Sequence, residues 1–495
     1  MKQANEMIDS GSATAGGGSG WLASAVRAVR TKLAEWERLT RAVDPETRAA
    51  YARRWAELPE RSRTPAQTIG RHAVGCEGTH GVFPRCNFSC QPCYHSAEAN
   101  RVRTDGDHTV TEITRQMELF RERRGPHGHA QLIGGEVTLL DAEDHARAWE
   151  VMRSFGRNPM SMTHGDFDYD YLRRLCVHPD GRPRFGYVSF AGHFDTTMVG
   201  RSEARRPERE DELHGHRRAF CEMFSRLHAE HGVRSYLAHN MTVTPENADQ
   251  IAEVVRATRD MGFKMLSFQP AAYVGNSVRW KGDFRSLDAD AVWSRIEEGA
   301  GGRLPWDVLE VGDSRCNRTA WGFYVGDRWH SLLDADDPRD RAARDRFFRY
   351  FGGVHFNAPP KLLAARLARI IVAHPSTAVT AAGWLARAVR RVGPLELLRH
   401  RPRPMTFVMH RFMHAEDVAP AWELMRRGQT SSDPAIVEVQ ERLAACSYAM
   451  AHPETGELVP ACVQHSLLDP EENRQLAQLL PLPTRRRPTP TPASG

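Results

Sequence analysis

The chain has 495 residues, 41% of them hydrophobic and 26% charged, and its net charge of +5 is carried mainly by arginine. That length has room for more than one compact unit, and the composition belongs to a protein with a real core. A mildly basic balance with both signs interspersed is a solvated surface, and no nucleic-acid partner is expected from it. No apolar run is long enough for a transmembrane helix, which needs about eighteen residues or more. The opening MKQANEMIDSGSATAGGGSG lacks the apolar centre of a secretory signal. A cytoplasmic location is expected, where nine cysteines are more readily metal ligands than disulfides.

In chain order, residues 1–20 are rich in Gly, Ser and Ala and are expected to form a disordered leader. Residues 21–75 are a helical segment. Within it Trp21, Val26, Val29, Leu33 and Trp36 recur at helical spacing between Arg and Glu. From 76 to 280, β-type runs alternate with helical stretches. The strand candidates are 79–85, 129–136, 159–165, 184–192, 233–243 and 263–272, and the helices lie near 110–123, 141–155, 166–176, 211–231 and 246–261. Six strand–helix units require parallel strands with crossover helices. The expected class is therefore α/β: a partial (β/α)6 barrel with a helical N-terminal segment and an α+β C-terminal extension. In such barrels the working residues stand on loops leaving the C-terminal strand ends. The extension covers 281–480, with an apolar, Arg-rich helical insert at 359–400. Residues 481–495 (PLPTRRRPTPTPASG) are expected to be a disordered tail.

Cys86-Asn-Phe-Ser-Cys90-Gln-Pro-Cys93 directly follows the first strand candidate, in the spacing C-x3-C-x2-C. Pro92 opposes a regular helix through it, which leaves a loop able to wrap one centre. Thiolates are preferred ligands of iron–sulfur clusters and of zinc. Three cysteines leave one iron of a cluster open, whereas a structural zinc site is closed by four ligands. The competing reading is a Cys3His zinc site completed by His95.

This loop, its place after the first strand, and Gly134-Gly135-Glu136 at the end of the second resemble the radical S-adenosylmethionine (SAM) superfamily. The resemblance implies a [4Fe–4S] cluster on Cys86, Cys90 and Cys93 whose open iron chelates SAM. It also implies reductive cleavage to a 5′-deoxyadenosyl radical that attacks an unactivated C–H bond. Many members carry an aromatic residue just before the third cysteine; this chain has Pro92 there and Tyr94 after.

By the same resemblance Gly134, Gly135 and Glu136 meet the SAM ammonium, the glycines admitting close backbone approach. Ser189 matches a polar strand-end residue that touches ribose or carboxylate. Arg201 is a candidate carboxylate partner, and equally reads as one solvated arginine of RSEARRPERE. Asn240 and Gln269 fall where further pocket contacts are expected. Met162, Thr163 and His164 end the third strand, and His164 and His193 are candidates to touch substrate.

Cys176 and Cys221 fall in helical patterns as small packed hydrophobes. Cys446 and Cys462 flank a hairpin-like turn, ETGE, with Gly456 at the bend. That phrase, with NMTVTPEN, SFQPAAYVGN and GDSRCNRTAWGF, resembles a branch containing pterin-methylating enzymes and archaeal synthases of membrane-spanning lipids. The branch implies an auxiliary iron–sulfur cluster on Cys316, Cys446 and Cys462, with Cys76 as a fourth candidate; the alternative is unligated buried thiols. It also implies methylation or C–C bond formation on a lipid-like substrate, with a flavodoxin or ferredoxin as electron donor. The stripe Leu362, Leu363, Leu367, Ile370 and Ile371, with Trp384 and Arg387, Arg390 and Arg391, fits either a hairpin packed on the barrel or peripheral membrane contact. Rival readings are a radical SAM enzyme acting on a peptide or small heterocycle, and a non-enzymatic zinc or iron–sulfur protein.

Overall fold

The computed structural model describes residues 17–201 and 206–483. The expected tail from 484 onward lies outside them, as does most of the expected leader. Residues 17–20 open the first helix instead of belonging to a leader.

Two helices, α1 (Gly17–Thr40) and α2 (Pro45–Glu57), precede the first strand. Then β1 (Cys76–Gly78), α3 (Gly106–Arg124), β2 (Gly128–Leu132), α4 (Ala142–Ser154), β3 (Arg157–Thr163), α5 (Tyr169–Cys176), β4 (Tyr187–His193), α6 (His214–His231), β5 (Arg234–Val243), α7 (Ile251–Thr258) and β6 (Met265–Pro270) alternate as expected. Aspartates cap several helix starts: Asp105, Asp141 and Asp168 each accept from a backbone N–H of the first turn of α3, α4 and α5. The first strand is the exception. Only three residues pair, and 79–85 runs on as the connection into the cysteine loop.

The extension contains α8 (Ala289–Ala300), β7 (Asn317–Val325), β8 (Arg328–Ser331), α9 (Pro338–Phe351), α10 (Pro360–Ala373), α11 (Ser376–Val392), α12 (Pro394–Arg399), β9 (Arg403–His410), α13 (Ala415–Arg426), α14 (Pro434–Ala444), β10 (Tyr448–His452), β11 (Glu457–Pro460), α15 (Ala461–Val463) and α16 (Asp469–Leu479). Its strands join the same sheet, in the order β11-β10-β1-β2-β3-β4-β5-β6-β9-β7-β8. The six strands expected are thus flanked by two more parallel ones, β10 beside β1 and β9 beside β6. Antiparallel β11 and β7 follow outside them. Asn317 at the start of β7 donates to Ser447 beside β10 (2.8 Å), which brings the two flanks of the sheet together.

Strand alternation sorts the side chains. Phe190, Leu266 and Phe407 point outward and pack with Trp149, Phe224 and Val255 of the helical layer, each fully buried large side chain contributing about 1.5–3 kcal/mol. Met160, Ala191 and Ala238 form a separate cluster with Met162, Tyr236 and Met265 on the opposite, inward face. The insert 359–400 is tied to the chain just after β8, where Trp384 Nε1 donates to Leu332 O (3.0 Å). Its helices α10 and α11 bend by 109° at the break between them. Arg387 and Arg391 of α11 pair with buried Asp340 of α9, and Arg366 of α10 donates to Leu39 O of α1.

Candidate metal and cofactor site

The cysteine loop is built over the C-terminal ends of the strands, and each strand end contributes a tie. Gly135 N donates to Phe83 O (2.8 Å) and Glu136 N to Arg85 O (2.9 Å), so the turn after β2 pairs with the chain entering the loop. Here glycine is a steric need: a Cβ on Gly135 would lie 2.1 Å from Arg85 O, and one on Gly134 would meet the Phe83 ring at 2.6 Å. Ser89 N and Gln91 N donate to Val199 O and Thr197 O beyond β4. Beyond β6, Gly275 (φ +76°) abuts the Tyr94 and Cys93 carbonyls.

Within this frame Cys86, Cys90 and Cys93 are free thiols. Burial pushes Cys86 up to about 12 and raises Cys90 and Cys93 as well. Each of Cys86 and Cys90 is raised further by the nearby Cys93. Opposing this, the nearby Arg279 guanidinium lowers Cys93, and Phe88 N donates to Cys86 Sγ (3.3 Å). Three half-buried thiols on one short loop could serve as ligands to a cationic centre, which would favour their thiolate forms. His95, the fourth ligand of the zinc reading, turns instead to Gly134 O.

Beside the loop is an open cleft bounded by Pro92, Tyr94, Thr242, Gln269, Val274 and Phe412. Pro92 therefore stands where an apolar face can support a flat ligand. Thr242 and Gln269, partners in register on β5 and β6, offer polar atoms at its strand side. Asn240 is buried two residues before Thr242 on the same face of β5.

Other sequence candidates occupy different places. Glu136 is buried, and its carboxylate accepts from Thr138 N, Thr138 Oγ1, Thr163 Oγ1 and His164 N. It fastens the turn after β2 to the end of β3, with no oxygen turned to the cleft among these contacts. His164 bonds Asn87 Oδ1 (2.9 Å) and stacks on Phe88, ring centroids 3.9 Å apart. Arg201 donates to His164 O and His193 O (both 2.8 Å) and lies over Phe194, so it supports the loop from behind. Ser189 is a correction: it is the third residue of β4, beside Tyr187, four residues before the strand's C-terminal end. The alternating pattern of YVSFAGH shows the strand and not how far it continues past Ser189.

Three participants carry no signal in the sequence. Arg279 reaches Cys93 from a short helical turn far along the chain. Buried Asp195 binds His193 Nε2 (2.6 Å) and accepts from Thr242 N (2.7 Å). Burial pushes the Asp195 carboxyl up, but His193 and these hydrogen bonds outweigh it and hold it down at about 2. Phe412, just past β9, completes the cleft wall.

The second cysteine set lies near enough for its members to influence one another's pKa. Burial raises Cys462, Cys316 and Cys446; nearby Cys446 and Cys316 raise Cys462 further, and Cys446 does the same to Cys316 and Cys76. Arg442 Nε donates to Cys316 Sγ (3.2 Å) and Met413 N to Cys462 Sγ (3.5 Å). Gly456 (φ +71°) turns the expected hairpin between β10 and β11.

No protein-family model matches the sequence, and no curated protein does. Among solved structures, SuiB of Streptococcus suis aligns at 12% identity over 43% of this chain and 42% of its own, with a TM-score of 0.29. Native anSMEcpe with bound AdoMet aligns at 16% identity over 41% and 51%, TM-score 0.27. With AdoMet and the Cp18Cys peptide it aligns at 14% over 45% and 57%, TM-score 0.30. The likeness spans about half of each solved chain, and at these TM-scores it carries no argument about this one.

Proposed function

We propose that the chain is a radical SAM enzyme, with a [4Fe–4S] cluster held by Cys86, Cys90 and Cys93 and SAM in the adjoining cleft. The observation that carries this reading is the placing of three half-buried thiols on one short loop beside a cleft at the C-terminal ends of parallel strands. When bound, the cluster supplies an electron, taken from a flavodoxin- or ferredoxin-type donor, that cleaves SAM to a 5′-deoxyadenosyl radical able to attack an unactivated C–H bond. Pro92 supports the adenine, Thr242 and Gln269 serve the polar parts of SAM, and Gly134 and Gly135 hold the loop close to the strand ends. Tyr94 and Phe412 limit water. Cys316, Cys446 and Cys462 are assigned to an auxiliary cluster. The test is anaerobic reconstitution of wild type and a Cys86/Cys90/Cys93→Ala variant, with assay of iron, sulfide and 5′-deoxyadenosine. Deoxyadenosine formed by wild type and absent from the variant supports the reading, and iron retained by the variant supports the auxiliary cluster. Zinc without sulfide, and no SAM cleavage, overturns both.

For the substrate, a lipid-like molecule and peripheral membrane contact are favoured by exposed apolar side chains on α1 and α10–α12. Val29, Leu33 and Trp36 on α1, Val372 and Val379 near the α10–α11 bend, and Leu398 on α12 are exposed by 55–83%. Arginines stand among them, and such a surface suits an anionic bilayer. No single described helix is long and apolar enough to cross a membrane, although α10 and α11 together pass by length and composition. Sedimentation with anionic and with neutral vesicles tests this: retention by anionic vesicles that is lost in Val372→Ser/Val379→Ser supports it, and no retention ends it.

A further inference from the structure

Away from the cysteines, three side chains from distant parts of the chain converge. His80 follows β1, His452 ends β10, and Glu472 lies in α16. Their ligand atoms all lie within 4.8 Å of one another, and among the described residues no other trio of His, Cys, Asp or Glu meets that condition. The side chains are 10%, 10% and 27% exposed. The two imidazoles stack with centroids 4.2 Å apart.

The surrounding hydrogen bonds decide which nitrogens carry protons. His80 Nε2 lies 2.9 Å from Ala451 O, which can only accept, so this nitrogen donates. The Gln464 amide nitrogen donates to Glu472 Oε2 (2.7 Å) and Asp469 Oδ1 (2.8 Å), so its oxygen faces His452 Nε2 at 2.6 Å. That nitrogen too must donate. In each neutral ring the lone pair is therefore left on Nδ1. Both Nδ1 atoms point at the same carboxylate: His80 Nδ1 is 3.0 Å from Glu472 Oε2, and His452 Nδ1 is 3.6 Å from Oε1. A second proton on His80 satisfies its 3.0 Å contact with Glu472, so a proton and a metal ion compete for that nitrogen, whereas at 3.6 Å the His452 Nδ1 lone pair has no hydrogen bond to the carboxylate and is open to a cation. Two imidazoles with donating second nitrogens and one carboxylate are the ligand set and outer shell of a zinc-type ion.

We propose that His80 Nδ1, His452 Nδ1 and Glu472 bind one divalent transition-metal ion, zinc in the first instance, with water as the remaining ligand. The ion fastens α16 across the ends of β1 and β10. The site shares no ligand with the cysteine loop, so it stands whether or not that loop carries a cluster. Gln464 and Asp469 belong to its outer shell, and His80 and Asp469 also border a small neighbouring cleft.

The test uses the full reconstituted chain, stripped with a chelator and loaded with zinc alone. Zinc-edge X-ray absorption is expected to show a nitrogen/oxygen shell near about 2.0 Å, and a sulfur shell near about 2.3 Å would place the zinc on cysteines and overturn the proposal. Zinc per chain is expected to fall by one equivalent in His452→Gln and in Glu472→Gln, and to persist in Cys86/Cys90/Cys93→Ala. Unchanged zinc in both ligand variants would equally overturn it. The absorption measurement needs no variant, so a variant that fails to fold does not leave the question open.

Discussion

Phe88, in the middle of the cysteine loop, lies flat on the His164 imidazole at the end of β3, with centroids 3.9 Å apart and planes 12° from parallel. One ring contact thus ties the loop to the barrel, and Arg201 covers the other side of Phe88 at 5.5 Å. Phe88→Ala removes a buried ring, with a cost of about 3–5 kcal/mol. It is expected to lower iron retained per chain after reconstitution. Phe88→Leu should keep most of it. Iron analysis of the two variants checks this.

The contact of Gly135 with Arg85 O leaves no room for a methyl group. Gly135→Ala must push backbone against backbone, and overpacking of this kind costs about 1–3 kcal/mol. Since it displaces the entrance to the loop, iron content and thermal midpoint are expected to fall together. At Gly181, where nothing lies within 4 Å, alanine meets no clash and should leave iron content unchanged, although its positive φ disfavours a side chain.

Below the strands, Arg157 and Glu77 form a two-pronged ion pair (2.9 and 3.0 Å) with both side chains fully buried. Glu77→Gln leaves the guanidinium without its charge partner and is expected to destabilise by about 3–5 kcal/mol. The double variant Glu77→Leu/Arg157→Met should recover much of that loss. Urea midpoints of the wild type and these two variants check this: a double variant no more stable than Glu77→Gln would contradict the pairing.

His145 is buried between Tyr171 OH (3.0 Å) and Ser161 Oγ (2.7 Å), and burial pushes its pKa down to about 3. Below the ordinary value near 6.5 the unfolded chain takes up a proton that the folded one refuses. Stability therefore falls as pH drops from about 6.5 towards 3, by up to about 1.4 kcal/mol per pH unit from this group. His145→Gln should flatten the profile between pH 6 and 4 by a comparable slope, at about one protonation per chain. An unchanged slope would show that His145 titrates in the folded protein.

The local elements of the core were legible because strand–helix alternation and polar punctuation are properties of neighbouring residues. Helices near 110–123, 141–155 and 211–231 correspond to α3, α4 and α6. The cysteine loop was legible for the same reason, its three ligands lying within eight positions. The strand at 79–85 was misplaced because Thr79–Arg85 is apolar enough for a strand, yet the ladder runs over Cys76–Gly78 and the backbone-to-backbone bonds of this segment go to Gln131 and to the glycine turn after β2.

By itself the sequence determined the parallel core, the loop thiols and the glycine turn that the loop rests on, since each depends on short-range spacing. Only the tertiary structure decided that β9 and β10 extend the sheet, that Arg279 reaches Cys93, and that His80, His452 and Glu472 meet. Contacts between residues hundreds of positions apart are selected by sheet register and packing of the whole chain, which leave no periodicity to read.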